Sequence, residues 1–138
     1  MDREENLAIV TRLHSRERPM RDMLLEVATE DFEWWIPGDP TLLPWAGTWR
    51  GREGLIRQTE LLHAGLAYTE FELLQIFADA DDDVVISRAG GHAKATGRSF
   101  SLETARVFTL RDGKVRRVRT YSDTGVYLAA LGLTNPPT

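Results

Sequence analysis

The stretch RVFTLRDGKVRRVRTYSD, Arg106 to Asp123, decides the fold. Asp112-Gly113 stands at its centre, a pair that favours a two-residue hairpin turn because both positions tolerate positive φ. Apolar and polar residues alternate on either side, as they do in half-buried strands. The turn sets a register. Arg111 faces Lys114 and Leu110 faces Val115; strict alternation then pairs Phe108 with Arg117, Arg106 with Arg119 and Thr104 with Tyr121. One face of the hairpin thus carries Phe108, Arg106, Arg119, Tyr121 and, at its end, Asp123. The other carries Val107, Ala105 and Glu103 with Arg116, Val118 and Thr120.

Upstream, YTEFELLQIF (68–77) and VVISRAGGHAKA (84–95) read as two more strands joined by an acidic turn. A tight turn near Gly97 adds Val85, Ser87, Ala89, Gly91 and Ala93 to the face of Arg106. Arg88 and His92 then fall on the other face, with His92 opposite Glu103. The first half is helical in pattern. Leu7, Val10 and Leu13 are spaced as one helix face, and Met20, Met23, Leu24, Val27 and Ala28 as another. A third helix, from about residue 52 to 64, aligns Leu55, Ile56, Thr59, Leu62 and His63. DFEWWIPG (31–38) is a short strand stopped by Pro37-Gly38, and GDPTLLPWAGTWRG (38–51) is a loop. After Asp123 a last helix places Val126, Tyr127, Ala130 and Leu131 on one side and ends at Gly132. The expected fold is α+β. It is a cone-shaped, curved antiparallel sheet with three N-terminal helices on its concave face and a short C-terminal helix. A single domain spans residues 1–138, a length that suits one hydrophobic core.

Bulk properties remove several function classes. A formal net charge of -4 gives no electrostatic reason to bind nucleic acid or an anionic membrane. Absence of cysteine excludes disulfides, thiolate catalysis and zinc thiolate sites. The three histidines show no HxH or HxxxH spacing, so neither a metal nor another cofactor is expected. Asp79 to Asp83 resembles the start of a calcium loop but has Val84 and Gly90 where the loop needs glycine and glutamate. MDREENLAIV begins charged, without the apolar run of a signal peptide, and a cytoplasmic location is expected.

The face of Arg106 pairs charged groups with small residues. Ser87, Ala89, Gly91 and Ala93 leave room beside it, and two opposed arginines, Arg106 and Arg119, repel unless an anion lies between them. Such a face either lines a pocket or points into water. Asp123 has two readings as well. It can cap the last helix through the amide of Gly125 or Val126. It can also act as a general base, which needs apolar surroundings that favour the neutral acid, whereas nearby arginines favour the charged form. Arg106, Arg119 and Tyr121 are suited to hold a carboxylate, enolate or phenolate oxygen, or else to form structural ion pairs. His63 lies on an apolar helix face as a core group or a pocket-border group, and His14 falls at the edge of its helix. The tryptophans Trp34, Trp35, Trp45 and Trp49 are wall and lid for a flat ligand, or core and dimer surface.

Taken together, DFEWWIPG, AGTWRGREGLI, TGR and RVFTLRDGKVRRVRTYSDT resemble the SnoaL-like group of the nuclear transport factor 2-like superfamily. That superfamily includes polyketide cyclases, ketosteroid isomerases, scytalone dehydratase and limonene epoxide hydrolases. The resemblance implies a pocket under the sheet, a homodimer formed through the sheet, and an aspartate of the last strand region as general acid or base, for which Asp123 is the nearest equivalent. It departs from ketosteroid isomerases, which carry their base where this chain has Ile36 and their oxyanion tyrosine where it has Arg12 and Leu13.

The expected function is that of a small cofactor-independent enzyme on an apolar, ring-containing carbonyl, hydroxyl or epoxide substrate. Isomerase, cyclase, dehydratase and epoxide hydrolase chemistry all fit. Asp123, Arg106 and Tyr121 would be catalytic, with Arg119, Trp34, Trp49, His63, Ser87 and Phe108 against the substrate. The alternative is a non-catalytic ligand-binding or dimerisation module of the same fold.

Overall fold

The computed structural model describes residues 3–133. Two helices, α1 (Arg3–Leu13) and α2 (Met20–Val27), lead into strands β1 (Ala28–Ile36) and β2 (Gly47–Arg50). Helix α3 (Gly51–Gly65) follows, then β3 (Leu66–Asp79), β4 (Asp82–Ala93), β5 (Ser99–Arg111), β6 (Lys114–Ser122) and α4 (Thr124–Ala130). The α+β class and the helix–sheet order match the sequence reading. The segment read as a loop before α3 contains β2, where Trp49 pairs with Trp34. The six strands run in the order β2-β1-β6-β5-β4-β3. All neighbours are antiparallel except β1 and β6, which are parallel.

One face of the sheet carries the helices. Val10 and Leu13 of α1, Met23 and Leu24 of α2, Leu55 of α3 and Tyr127 and Ala130 of α4 share a single core with alternate strand residues. In β1 those are Phe32, Trp34 and Ile36, so the period of two is met at each buried position. Asp112 and Gly113 have φ of 51° and 76°, the turn expected from their types. The sheet bends at irregularities in β3, one of them between Tyr68 and Glu70. Gly91 lies opposite that irregularity, and a Cβ there would stand 1.9 Å from the Ala67 carbonyl oxygen. Only glycine permits so close an approach.

The hairpin register corrects the sequence reading. Arg111–Lys114 and Leu110–Val115 pair as expected, but Thr109 then pairs with Arg117, because Arg116 is an extra residue in β6. Beyond this bulge, Arg106 faces Thr120 and Phe108 faces Val118, while Val107 faces Arg119 and Ala105 faces Tyr121. Arg119 and Tyr121 therefore sit on the outer face and not beside Arg106. The physical reason is burial. Strict alternation would send Val118 outward and Arg117 and Arg119 inward; the bulge leaves both Val115 and Val118 at 0% exposure. The β4–β5 register also differs, with Arg88 opposite Glu103 and His92 opposite Ser99. That is a shift by an even number of residues, so Val85, Ser87, Ala89 and Gly91 keep the face of Arg106. Among the described residues, no helix is long and apolar enough to cross a membrane.

Candidate functional site

Arg106 of β5 and Asp83 of β4, which pairs with Phe108, are charged groups on the sheet face that carries the helices. The cross-strand neighbours of Arg106 are Val85 and Thr120. Its guanidinium carbon lies 5.5 Å from the centre of the Trp34 ring, a cation–π contact. Trp34 is fixed in turn, because its indole N–H donates to the Thr120 hydroxyl at 2.8 Å. The Arg106 Nε is buried and has no hydrogen-bond partner among the described residues.

Three titratable groups from three other elements feel this charge. His14, just after α1, is only 6% exposed. Its ring stacks on Phe71 of β3 at 6.3 Å and meets Phe108 of β5 edge-on at 5.3 Å. Nδ1 lies 2.8 Å from the Val10 carbonyl oxygen, which can only accept, so Nδ1 carries the proton. Nε2 is buried and unpartnered among the described residues. Burial pushes the His14 pKa down to about 4, and the Arg106 charge acts in the same direction, against the hydrogen bond to Val10. Tyr68 of β3 and Tyr127 of α4 are joined hydroxyl to hydroxyl at 3.0 Å. Phe100 lies edge-on to both, at 5.4 Å from each. Burial raises both phenol pKa values, and Arg106 opposes the rise in each. Both are neutral donors at ordinary pH. One hydroxyl proton joins the pair, which leaves the other available for a ligand oxygen.

Ser87 and Thr104 are paired across strands on the same face and are buried. On α3, Gln58 is 1% exposed, and its Oε1 has no partner among the described residues. Desolvation is costly for each such group, about 1–3 kcal/mol when left unpaired. Arg106 Nε and His14 Nε2 are a donor and an acceptor left unpartnered on the same side of the sheet.

The remaining sequence candidates divide. Phe108 is fully buried and serves as a wall for His14. Trp49 is half-buried and donates to the Trp45 carbonyl at 2.8 Å. His63 packs edge-on to Tyr68 at 6.4 Å, its pKa lowered by burial and then by Lys94 and Arg21. Tyr121 is 47% exposed and lies on Trp35 of the outer face at 5.5 Å. Asp123 is exposed and caps α4, accepting from the Gly125 amide at 2.9 Å. Sequence reasoning missed Tyr68 and Tyr127 as groups near Arg106, and it placed His14 at a helix edge. The spacing Val10–His14, one helical turn, was the available signal for the last. Among the described residues, no group of three or more acidic, histidine or cysteine side chains is placed to hold a metal.

The fold and this helix-covered face define a protein of the nuclear transport factor 2-like class. An NTF2-like protein from Burkholderia xenovorans LB400 superposes with a TM-score of 0.82 at 31% identity, over 95% of this chain and 98% of that one. A provisionally assigned SnoaL-like polyketide cyclase from Jannaschia sp. CCS1 gives 0.80 at 21%, over 97% and 95%. TerC, crystallised with polyporic acid, gives 0.81 at 19%, over 93% and 98%. Within the class, the SnoaL-like domain pattern matches residues 12–118, and the chain belongs to that family. No functionally curated protein matches it.

The buried imidazole links stability to pH. An unfolded histidine titrates near its ordinary value of 6.5, and His14 near 4. Between these values the unfolded chain binds the extra proton, so stability falls as pH drops through that window. Urea unfolding at pH 7 and pH 4.5 is expected to show an acid loss greater by roughly 2–3 kcal/mol in the wild type than in His14→Phe. Equal losses would show that His14 is not buried as a neutral group.

Proposed function

We propose that the helix-covered face around Arg106 takes a small, apolar, ring-containing molecule bearing a carbonyl, hydroxyl or epoxide oxygen. The chemistry is cofactor-independent proton transfer of isomerase, cyclase, dehydratase or epoxide hydrolase type. The observation that carries this reading is the buried, unpartnered Arg106 Nε laid beside the Trp34 ring. An arginine in that position binds an oxygen that holds or develops negative charge, and the apolar surroundings strengthen the interaction. The Tyr68–Tyr127 pair supplies a further neutral donor, and Trp34, Phe100 and Phe108 supply ring and methylene contacts. TerC, which shares the fold, was crystallised with polyporic acid, and this supports the ligand class. Arg119 and Tyr121 have no part in this inner site. Asp123 is assigned its cap alone.

The outer face supports a second element of the reading, a homodimer formed through the sheet. Trp35, Tyr121 and Phe77 lie there with Val84, Ile86 and Val107, and Phe77 is 52% exposed. These apolar groups share the outer face with Arg117, Arg119 and the ion pairs of Arg88 with Glu72 and Glu103, a mixed surface suited to a second copy.

Each part has its own test. Arg106→Met should fold with stability close to the wild type, since an apolar chain replaces a half-buried arginine whose Nε is buried without a partner among the described residues. With 2-naphthoate as an anionic aromatic probe, the wild type should show a thermal shift and the variant none. No shift in the wild type would remove Arg106 as a ligand anchor. Asp123→Asn keeps the cap and is expected to leave turnover of any identified substrate within about twofold, whereas Asp123→Ala should cost about 1 kcal/mol of stability. Lost turnover in the asparagine variant at unchanged stability would give the base role to Asp123. Light scattering should report a dimer that Phe77→Asp dissociates; a monomeric wild type contradicts the dimer.

A further inference from the structure

We propose that His14 is the proton acceptor of this site, receiving a proton from a ligand hydroxyl or an acidic C–H whose neighbouring oxygen is held by Arg106. The inference rests on the reading of Arg106 as the ligand anchor.

The imidazole is fixed in both tautomer and direction. Nδ1 is committed to the Val10 carbonyl at 2.8 Å, so the lone pair of the neutral ring lies on Nε2. Phe71 and Phe108 hold the ring from two strands. Phe108 and Arg106 are two residues apart on the same face of β5, so His14 and Arg106 lie over the same side of the sheet, His14 towards Phe71 of β3 and Arg106 towards Trp34 of β1. Packing alone does not call for histidine here. An apolar side chain would fill the space between the two phenylalanines without a buried lone pair left unpaired among the described residues.

The pairing of groups specifies the ligand. Arg106 offers a donor and a positive charge, while His14 Nε2 offers an acceptor. A complementary molecule presents an acceptor oxygen beside an acidic hydrogen, as an enolisable ring ketone, an enol or a phenol does. For an enolisable ketone, Nε2 takes the proton from the carbon next to the carbonyl. The C–H electron pair forms a C=C bond, and the carbonyl oxygen becomes an enolate oxygen beside Arg106. Where the ring also carries a C=C bond next to that carbon, return of the proton from Nε2 to the far carbon of that bond re-forms the carbonyl and shifts the double bond, an isomerisation that needs no oxidant, reductant or second reactant. Ligand arrival also makes the base stronger. The Arg106 charge opposes protonation of His14 in the empty site, and an anionic oxygen next to Arg106 cancels that repulsion.

Two probes that differ in one hydrogen test this. 2-Naphthol carries the donor hydrogen, and 2-methoxynaphthalene keeps the oxygen and the rings without it. The full-length wild type should bind 2-naphthol about tenfold more tightly, the worth of one hydrogen bond. His14→Phe should lose that preference while its response to 2-naphthoate persists. In the wild type, the ¹⁵N resonance of His14 Nε2 should move on addition of 2-naphthol and stay in place with 2-methoxynaphthalene. This readout stands if the variant does not fold. A preference that survives in His14→Phe, or an Nε2 resonance unmoved by bound 2-naphthol, overturns the role of His14 and leaves the Arg106 anchor intact. If neither 2-naphthoate nor 2-naphthol binds the wild type, the anchor falls and the inference falls with it.

Discussion

Arg116 is one residue more than β6 needs to match β5, and the placement of the inner face follows from it. Without the bulge, each side chain from Arg117 to Ser122 would change face. Val118 and Thr120 would leave the interior, and Trp34 would lose the hydroxyl that receives its indole N–H. Arg117, Arg119 and Tyr121 would replace them next to Arg106. The helices would then cover three arginines that repel one another. The bulge sorts four arginines of this hairpin by face, keeping Arg106 inside and placing Arg117 and Arg119 outside, while Arg116 reaches Asp31 at 3.2 Å.

A single interior cation changes the character of everything near it. Arg106 lies over the Trp34 ring, whose π-face attracts it. Its field reaches α1, β3 and α4, since it moves the proton affinities of His14, Tyr68 and Tyr127 alike. In each case it favours the form with less positive or more negative charge. The interior around Arg106 is thus biased towards neutral or negative groups. Preorganised polarity of this kind is the usual basis of electrostatic stabilisation in enzyme sites.

Much of this was legible from the residues. Helix faces, the Asp112-Gly113 turn and the lane from Val85 to Gly91 follow from periods of 3.6 and 2, which depend on local geometry alone. Arg106 could be placed because β5 is regular across its length. Arg119 and Tyr121 could not, because one inserted residue reverses a face and no turn residue announces it. Deep burial of His14 was also hidden, since its helix position suggests an edge while Phe71 and Phe108, nearly sixty and over ninety residues away, supply its surroundings. The Tyr68–Tyr127 contact is a meeting of β3 with the last helix and has no local signature. Asp123 was readable as a cap from its neighbours, and the cap is what its carboxylate makes.

The parallel pairing of β1 with β6 has a temporal consequence. β1 and β2 are formed from the first third of the chain, yet their only route into the sheet is through β6, which ends at Ser122. Until that strand has been synthesised, Phe32, Trp34 and Ile36 have no sheet to join. The β3–β4–β5 meander can pair earlier, because its partners are adjacent in sequence. During synthesis, sheet completion therefore waits for β6, and with it the contact between Arg106 and Trp34. Long-range pairing of this kind slows folding, and it leaves the tryptophan-rich strands uncovered in the interval.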